Sequence, residues 1–175
     1  PSYCEFEFWC YDISSTYWSY YVVFWLLDMV TGVCDPGWVE RTQESCYKFI
    51  TSYNQKASWA RAEASFVSMQ SNLASIDSYQ ELIWMKGYRT RSNALMSGSW
   101  IGGYKKDGKW VWTGGNDKPM TVTDWGYGEP SGRSGENCVE LYSFEDGRDA
   151  RDKWYKYNDL YCGVTRSYIC EKSFK

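Results

Sequence analysis

The placement of the cysteines constrains this chain more than any other feature. Seven stand at positions 4, 10, 34, 46, 138, 162 and 170, and none forms the C-x-x-C pair of a zinc ribbon or a thioredoxin-type redox site. Widely spaced cysteines beside 11 Trp, 16 Tyr and 7 Phe favour structural disulfides made in an oxidising compartment. An odd count leaves at least one thiol free or shared with another chain. A start at Pro1, with no basic or cleavage-type segment, suits a mature secreted protein. An extracellular location is therefore expected.

Composition removes several functions. The chain has no histidine, which excludes Ser-His-Asp and Cys-His catalysis and the usual zinc sites. No activated nucleophile or cofactor loop replaces it, so no enzymatic activity is expected. A net charge of −3, from 22 acids and 19 bases, exerts no general pull toward nucleic acid or an anionic membrane. Binding must come from a defined site.

Two regions differ in texture. Residues 1–33 are aromatic and apolar, and Tyr17–Val33 is broken only by isolated polar residues such as Ser19, Asp28 and Thr31. A membrane helix needs ~20 mainly apolar residues, and this run is too short and holds an acid, so no span is expected. The segment either caps its own domain or forms a surface for a partner, such as another copy in a homo-oligomer.

From Cys34 onward, short segments alternate with turns. Asp35-Pro36-Gly37 is a turn, and Cys46–Phe49 reads as a strand. Ser58 is placed to cap a helix over Trp59–Gln70, with Trp59, Ala62, Phe66 and Met69 on one face. Ser78 and Glu81 form a capping-box pattern for a second helix near Tyr79–Lys86. Strand-like pieces follow at Trp100–Gly103, Trp110–Trp112, Val139–Tyr142 and Ser167–Cys170. A long Gly-, Pro- and Ser-rich stretch precedes Cys138, and a loop of that length in a compact domain usually has a function. Two early helices followed by strands predict an α+β domain over residues 34–175. The tryptophans at 59, 100, 110, 112 and 125 read as core.

The order of these pieces resembles the C-type lectin-like domain over residues 34–174. The resemblance rests on Cys34-Asp35-Pro36-Gly37-Trp38, Cys46-Tyr47-Lys48-Phe49, Ser58-Trp59 with Ala62-Glu63, and Leu73-Ala74-Ser75-Ile76. It continues through Trp100-Ile101-Gly102, Trp110-Val111-Trp112-Thr113, Trp125, Gly128-Glu129-Pro130-Ser131 and Glu136-Asn137-Cys138. It ends with Tyr157-Asn158-Asp159-Leu160-Tyr161-Cys162 and Tyr168-Ile169-Cys170-Glu171-Lys172. Each motif alone is weak, and their collinear order is specific.

The resemblance implies disulfides Cys34–Cys46 and Cys138–Cys162. Closing the 24-residue loop would remove roughly 3 kcal/mol of unfolded-state entropy. It also implies a cysteine seven residues after Trp59, paired with the last one. This chain has Phe66 there. Cys170 then either bonds to Cys4 or Cys10, or those two pair and Cys170 stays a buried thiol; the second arrangement is the expected one.

The resemblance further implies one calcium ion held by Glu129, Ser131, Glu136, Asn158 and Asp159, with positions left open for two sugar hydroxyls. The same five side chains would bind the carbohydrate, with Trp154 and Tyr155 near enough to stack on a sugar face, although core packing is the commoner role for a tryptophan. Such binding is lost in acid, as the carboxylates protonate. Pro130 is expected to be cis. Ser131 departs from the Glu-Pro-Asn and Gln-Pro-Asp motifs of the family's mannose-type and galactose-type sites, so the preferred sugar stays open. Arg133 stands where some members carry an acid for a second calcium, so a single ion is expected. Taken without the resemblance, Glu129-Pro130-Ser131 is an ordinary turn and Asn158-Asp159 an ordinary strand end. The function expected is a calcium-dependent lectin module. The alternative is a structural or matrix scaffold that assembles through residues 1–33.

Overall fold

The computed structural model describes residues 3–5, 9–11, 34–42, 44–91, 98–114, 117–144 and 154–174. The chain divides into two compact units, Pro1–Gly32 and Val33–Lys175. In the first unit, β1 (Tyr3–Glu5) and β2 (Trp9–Tyr11) form an antiparallel pair that sets Cys4 opposite Cys10. The side chains of these two cysteines lie outside the described residues, so their expected pairing does too.

The second unit is a mixed sheet carrying two α-helices. Its elements are β3 (Val39–Thr42), β4 (Ser45–Ile50), α1 (Trp59–Ala64), β5 (Asn72–Leu73), α2 (Tyr79–Arg91), β6 (Gly98–Lys106), β7 (Lys109–Trp112), β8 (Lys118–Pro119), β9 (Glu136–Phe144), β10 (Trp154–Tyr161) and β11 (Ser167–Ser173). The main strand order is β10-β9-β6-β11-β4-β3, with β5 beside β11 and β7 joining β6 to β8. β11 runs parallel to β6, and the other pairs are antiparallel. Disulfides Cys34–Cys46 and Cys138–Cys162 are both present. Among the described residues no helix is long and apolar enough to cross a membrane.

One core cluster packs Tyr47, Leu82, Met85, Trp112, Leu141 and Tyr157; a second packs Ala62, Phe66, Trp100, Tyr168 and Cys170. Trp100 and Trp112 are fully buried, while Trp59, Trp110 and Trp125 pack partly buried against the clusters. Trp59 and Trp100 donate their indole N–H groups to the backbone oxygens of Ile101 and Ala57, at 2.9 and 3.0 Å.

The first helix departs from its sequence pattern. It ends at Ala64, and a 3-10 turn over Val67–Met69 closes at Gln70 with φ of +52°. This tightening rotates Met69 off the apolar face, leaving it 40% exposed, while Phe66 stays buried. Ser58 holds the N-cap position without a side-chain cap bond. At the second helix, the Ser78 hydroxyl accepts from Glu81 N at 3.2 Å, a true cap. The Glu81 carboxylate reaches one residue further back than a capping box requires, to Asp77 N at 2.8 Å. The helix then runs past the expected Lys86 to Arg91.

Glu81 is drawn inward because Tyr47 donates its hydroxyl to it. The Glu171 carboxylate lies on the same hydroxyl and accepts both N–H and O–H of Ser75, at 3.1 and 3.0 Å. Burial, and then the Glu81 carboxylate, push the Glu171 pKa up to about 7. The native state thus keeps a proton that the unfolded state sheds near pH 4.5. The associated stability is complete below the lower value and is lost as pH rises through about 7. Glu171→Gln should flatten that decline in chelator-treated protein and add on the order of 2 kcal/mol above neutrality. Thermal melts from pH 4 to pH 8 check this, and parallel curves for the two proteins would contradict it.

Candidate functional site

The long loop is held against β10 by backbone bonds. Tyr157 N donates to Asp124 O at 2.8 Å and Gly126 N to Tyr157 O at 2.9 Å. Glu129 N then donates to Gly126 O at 3.0 Å, closing a turn whose third residue, Gly128, has φ of +79°. A residue with a side chain would be strained at that angle. Asp124 anchors the loop from outside through ion pairs with Lys86 on α2 and Lys156 on β10. These ties carry Glu129 and Ser131 to the end of β10, next to Asp159. The Glu129–Pro130 peptide is cis, as the family resemblance implies. β9 begins at Glu136, opposite Tyr161.

The five expected residues do not all play one part. Asp159, 2% exposed, accepts Ser131 N at 2.8 Å on one oxygen and Gly132 N at 3.3 Å on the other. Glu136, also buried, accepts the Ser131 hydroxyl at 2.6 Å, and that hydroxyl accepts Arg133 N at 3.3 Å. Glu129 presents a buried Oε2 with no hydrogen-bond partner. Burial, then the hydrogen bond and charge of Asp159, raise its pKa to about 7. Asn158 turns its amide to Glu140 on β9. Trp154 opens β10 opposite Phe144, but its side chain lies outside the described residues.

Three carboxylates therefore gather at one loop, and among the described residues no Lys or Arg pairs with any of them. The oxygens of Asp159 and Glu136 face loop donors, and no group of three or more His, Cys, Asp or Glu among the described residues stands ready as a metal cage. The residue set still fits a hard divalent cation. A buried carboxylate oxygen without a donor, pressed against like charges, is the arrangement a cation relieves.

Sequence reasoning missed Glu140, Arg166 and Gly98, which form one network behind Asn158 centred on the buried Glu140 carboxylate. The available signal was a glutamate inside the otherwise apolar run Val139-Glu140-Leu141. Tyr127 and Tyr161 were also missed. Tyr127 is fully exposed on the loop, and Tyr161 lies under Gly135, where an added Cβ would come within 2.8 Å of its ring.

The lectin C-type domain model matches residues 55–172. The chain belongs to the C-type lectin domain family. It is 33% identical over 130 residues to the hepatic lectin of Gallus gallus, covering 73% of this chain and 54% of that protein. It thus spans about half of that relative's length. Perlucin of Haliotis laevigata is 33% identical over 135 residues, with coverages of 75% and 79%. Herring type II antifreeze protein shares the fold with a TM-score of 0.64 and 28% identity, over 81% of this C-type lectin chain and 100% of that one. The family's fold thus occurs in proteins named for quite different tasks.

Proposed function

We propose that this domain is a secreted, calcium-dependent carbohydrate-binding module, with Glu129, Ser131, Glu136, Asn158 and Asp159 as the ligands of one ion. The observation that carries the reading is the unpartnered, buried Oε2 of Glu129 among three carboxylates. The lectin relatives support it. A bound calcium supplies coordination positions that take two adjacent sugar hydroxyls in place of water. The protein's share is charge, orientation and hydrogen bonding. Glu129 and Glu136 accept from ligand hydroxyls, and the Asn158 amide donates to them. Asp159 holds the loop through Ser131 N and Gly132 N. Ser131 is short and already engaged with Glu136, so it contributes the least.

Calorimetric titration of simple hexoses in calcium and in chelator tests the reading. Millimolar or tighter binding in calcium is expected, with none detectable in chelator. Equal heats in both would overturn calcium dependence. No binding of calcium or sugar would leave the scaffold reading, in which residues 1–33 supply the assembly contacts. The hydrogen bonds that already engage Asp159 and Glu136, and the antifreeze neighbour, favour that alternative.

A further inference from the structure

Behind the candidate site lies a charged network that nothing so far explains. Glu140 stands directly across from Asn158 in the β9–β10 register and is 1% exposed. Its Oε1 accepts from Asn158 Nδ2 at 2.9 Å, and its Oε2 accepts from Arg166 Nε at 2.6 Å. Arg166 is fixed by paired backbone bonds with Ala57, at 2.9 and 3.0 Å. Gly98 makes the room: a Cβ there would fall 2.0 Å from Glu140 Oε2. Glu140 is buried while the Arg166 side chain keeps 26% of its surface exposed, so the cost of desolvating the carboxylate is offset only in part by their attraction. The pair is therefore weak as a stability device and stronger as a means of specifying one arrangement.

What it specifies is the Asn158 amide. The two ends of an asparagine amide are nearly equal in size and opposite in hydrogen-bonding sense. A carboxylate that faces a guanidinium only accepts, so it selects the NH2 end of Asn158. The carbonyl oxygen and the second N–H are then left for other partners. We infer that Glu140 is a positioning residue that sets the polarity of Asn158, giving the site a carbonyl oxygen for a cation and an N–H for a ligand hydroxyl. The use of those two groups rests on the calcium-lectin reading above, whereas their orientation does not.

Glu140→Gln tests this without changing shape. Arg166 Nε needs an acceptor, so the introduced amide turns its oxygen to Arg166 and its NH2 to Asn158. The only complementary group on Asn158 is Oδ1, so its amide inverts and offers NH2 where an oxygen is required. Calcium affinity should fall on the order of 100-fold, with the fold intact by circular dichroism. Adding Asn158→Asp to Glu140→Gln returns an oxygen to both sides and should recover affinity to within about tenfold of wild type. A double variant no better than Glu140→Gln would show a merely structural role and overturn the inference.

Orientation is also read in chelator, without the cation, from the side-chain amide NMR signals of Asn158. In the wild type one amide proton should exchange slowly with solvent, and in Glu140→Gln that protection should disappear. An unprotected wild-type amide, or protection unchanged by the substitution, overturns the inference whatever calcium does. A protected wild-type amide in a protein that binds no calcium upholds the orientation and overturns the calcium reading instead.

Discussion

Truncating Phe66 to alanine is expected to cost the domain about 3–5 kcal/mol, read from chemical denaturation under oxidising conditions. The ring is 4% exposed and meets Trp38 and Tyr168 edge-on, at centroid distances of 5.9 and 6.0 Å. It shares its cluster with Cys170, which forms no disulfide among the described residues and whose thiol burial pushes well above its ordinary pKa. The tie between the first helix and the last strand is thus packing rather than a covalent bond. A cavity there opens between the turn that follows α1 and β11, where among the described residues no disulfide limits the damage. Met69→Ala, on an exposed side chain of the following turn, should change stability by no more than about 0.5 kcal/mol. A loss at Met69 as large as that at Phe66 would mean that the longer helix of the sequence pattern, which buries both, is the true one.

That contrast shows where the sequence is informative and where it is not. Strand positions such as Trp110–Trp112 and Ser167–Cys170 are legible because buried aromatics and β-branched residues leave few alternatives to a sheet. The two disulfides and the residues brought together at the loop follow from motif order. The end of α1 does not, because the pattern through Met69 stays periodic after the backbone has tightened into a 3-10 turn. The work of the site oxygens is equally hidden. That Asp159 holds two loop N–H groups depends on the path from Gly126 to Gly132, and that Glu140 faces Asn158 depends on a strand register. Neither is a property of neighbours in sequence.

Replacing Asp159 and Glu129 should give opposite effects on the metal-free fold and the same effect on calcium. Asp159→Ala leaves the Ser131 and Gly132 N–H groups without their acceptor, which should cost about 1–3 kcal/mol. Glu129→Gln removes a charge that burial and Asp159 already oppose, and its Oε2 has no donor to lose. The fold should therefore be unchanged or slightly more stable in chelator. In calcium, either substitution takes one of three negative charges from the ion, and affinity should fall about 100-fold or more. Melting temperatures in chelator and calcium titration by calorimetry separate the two quantities. The difference is a physical signature of a binding site: a residue that holds the loop lowers stability when removed, whereas one kept for a ligand does not. If Glu129→Gln destabilised the metal-free domain and left calcium affinity intact, that carboxylate would be a structural group and the ion would have no site here.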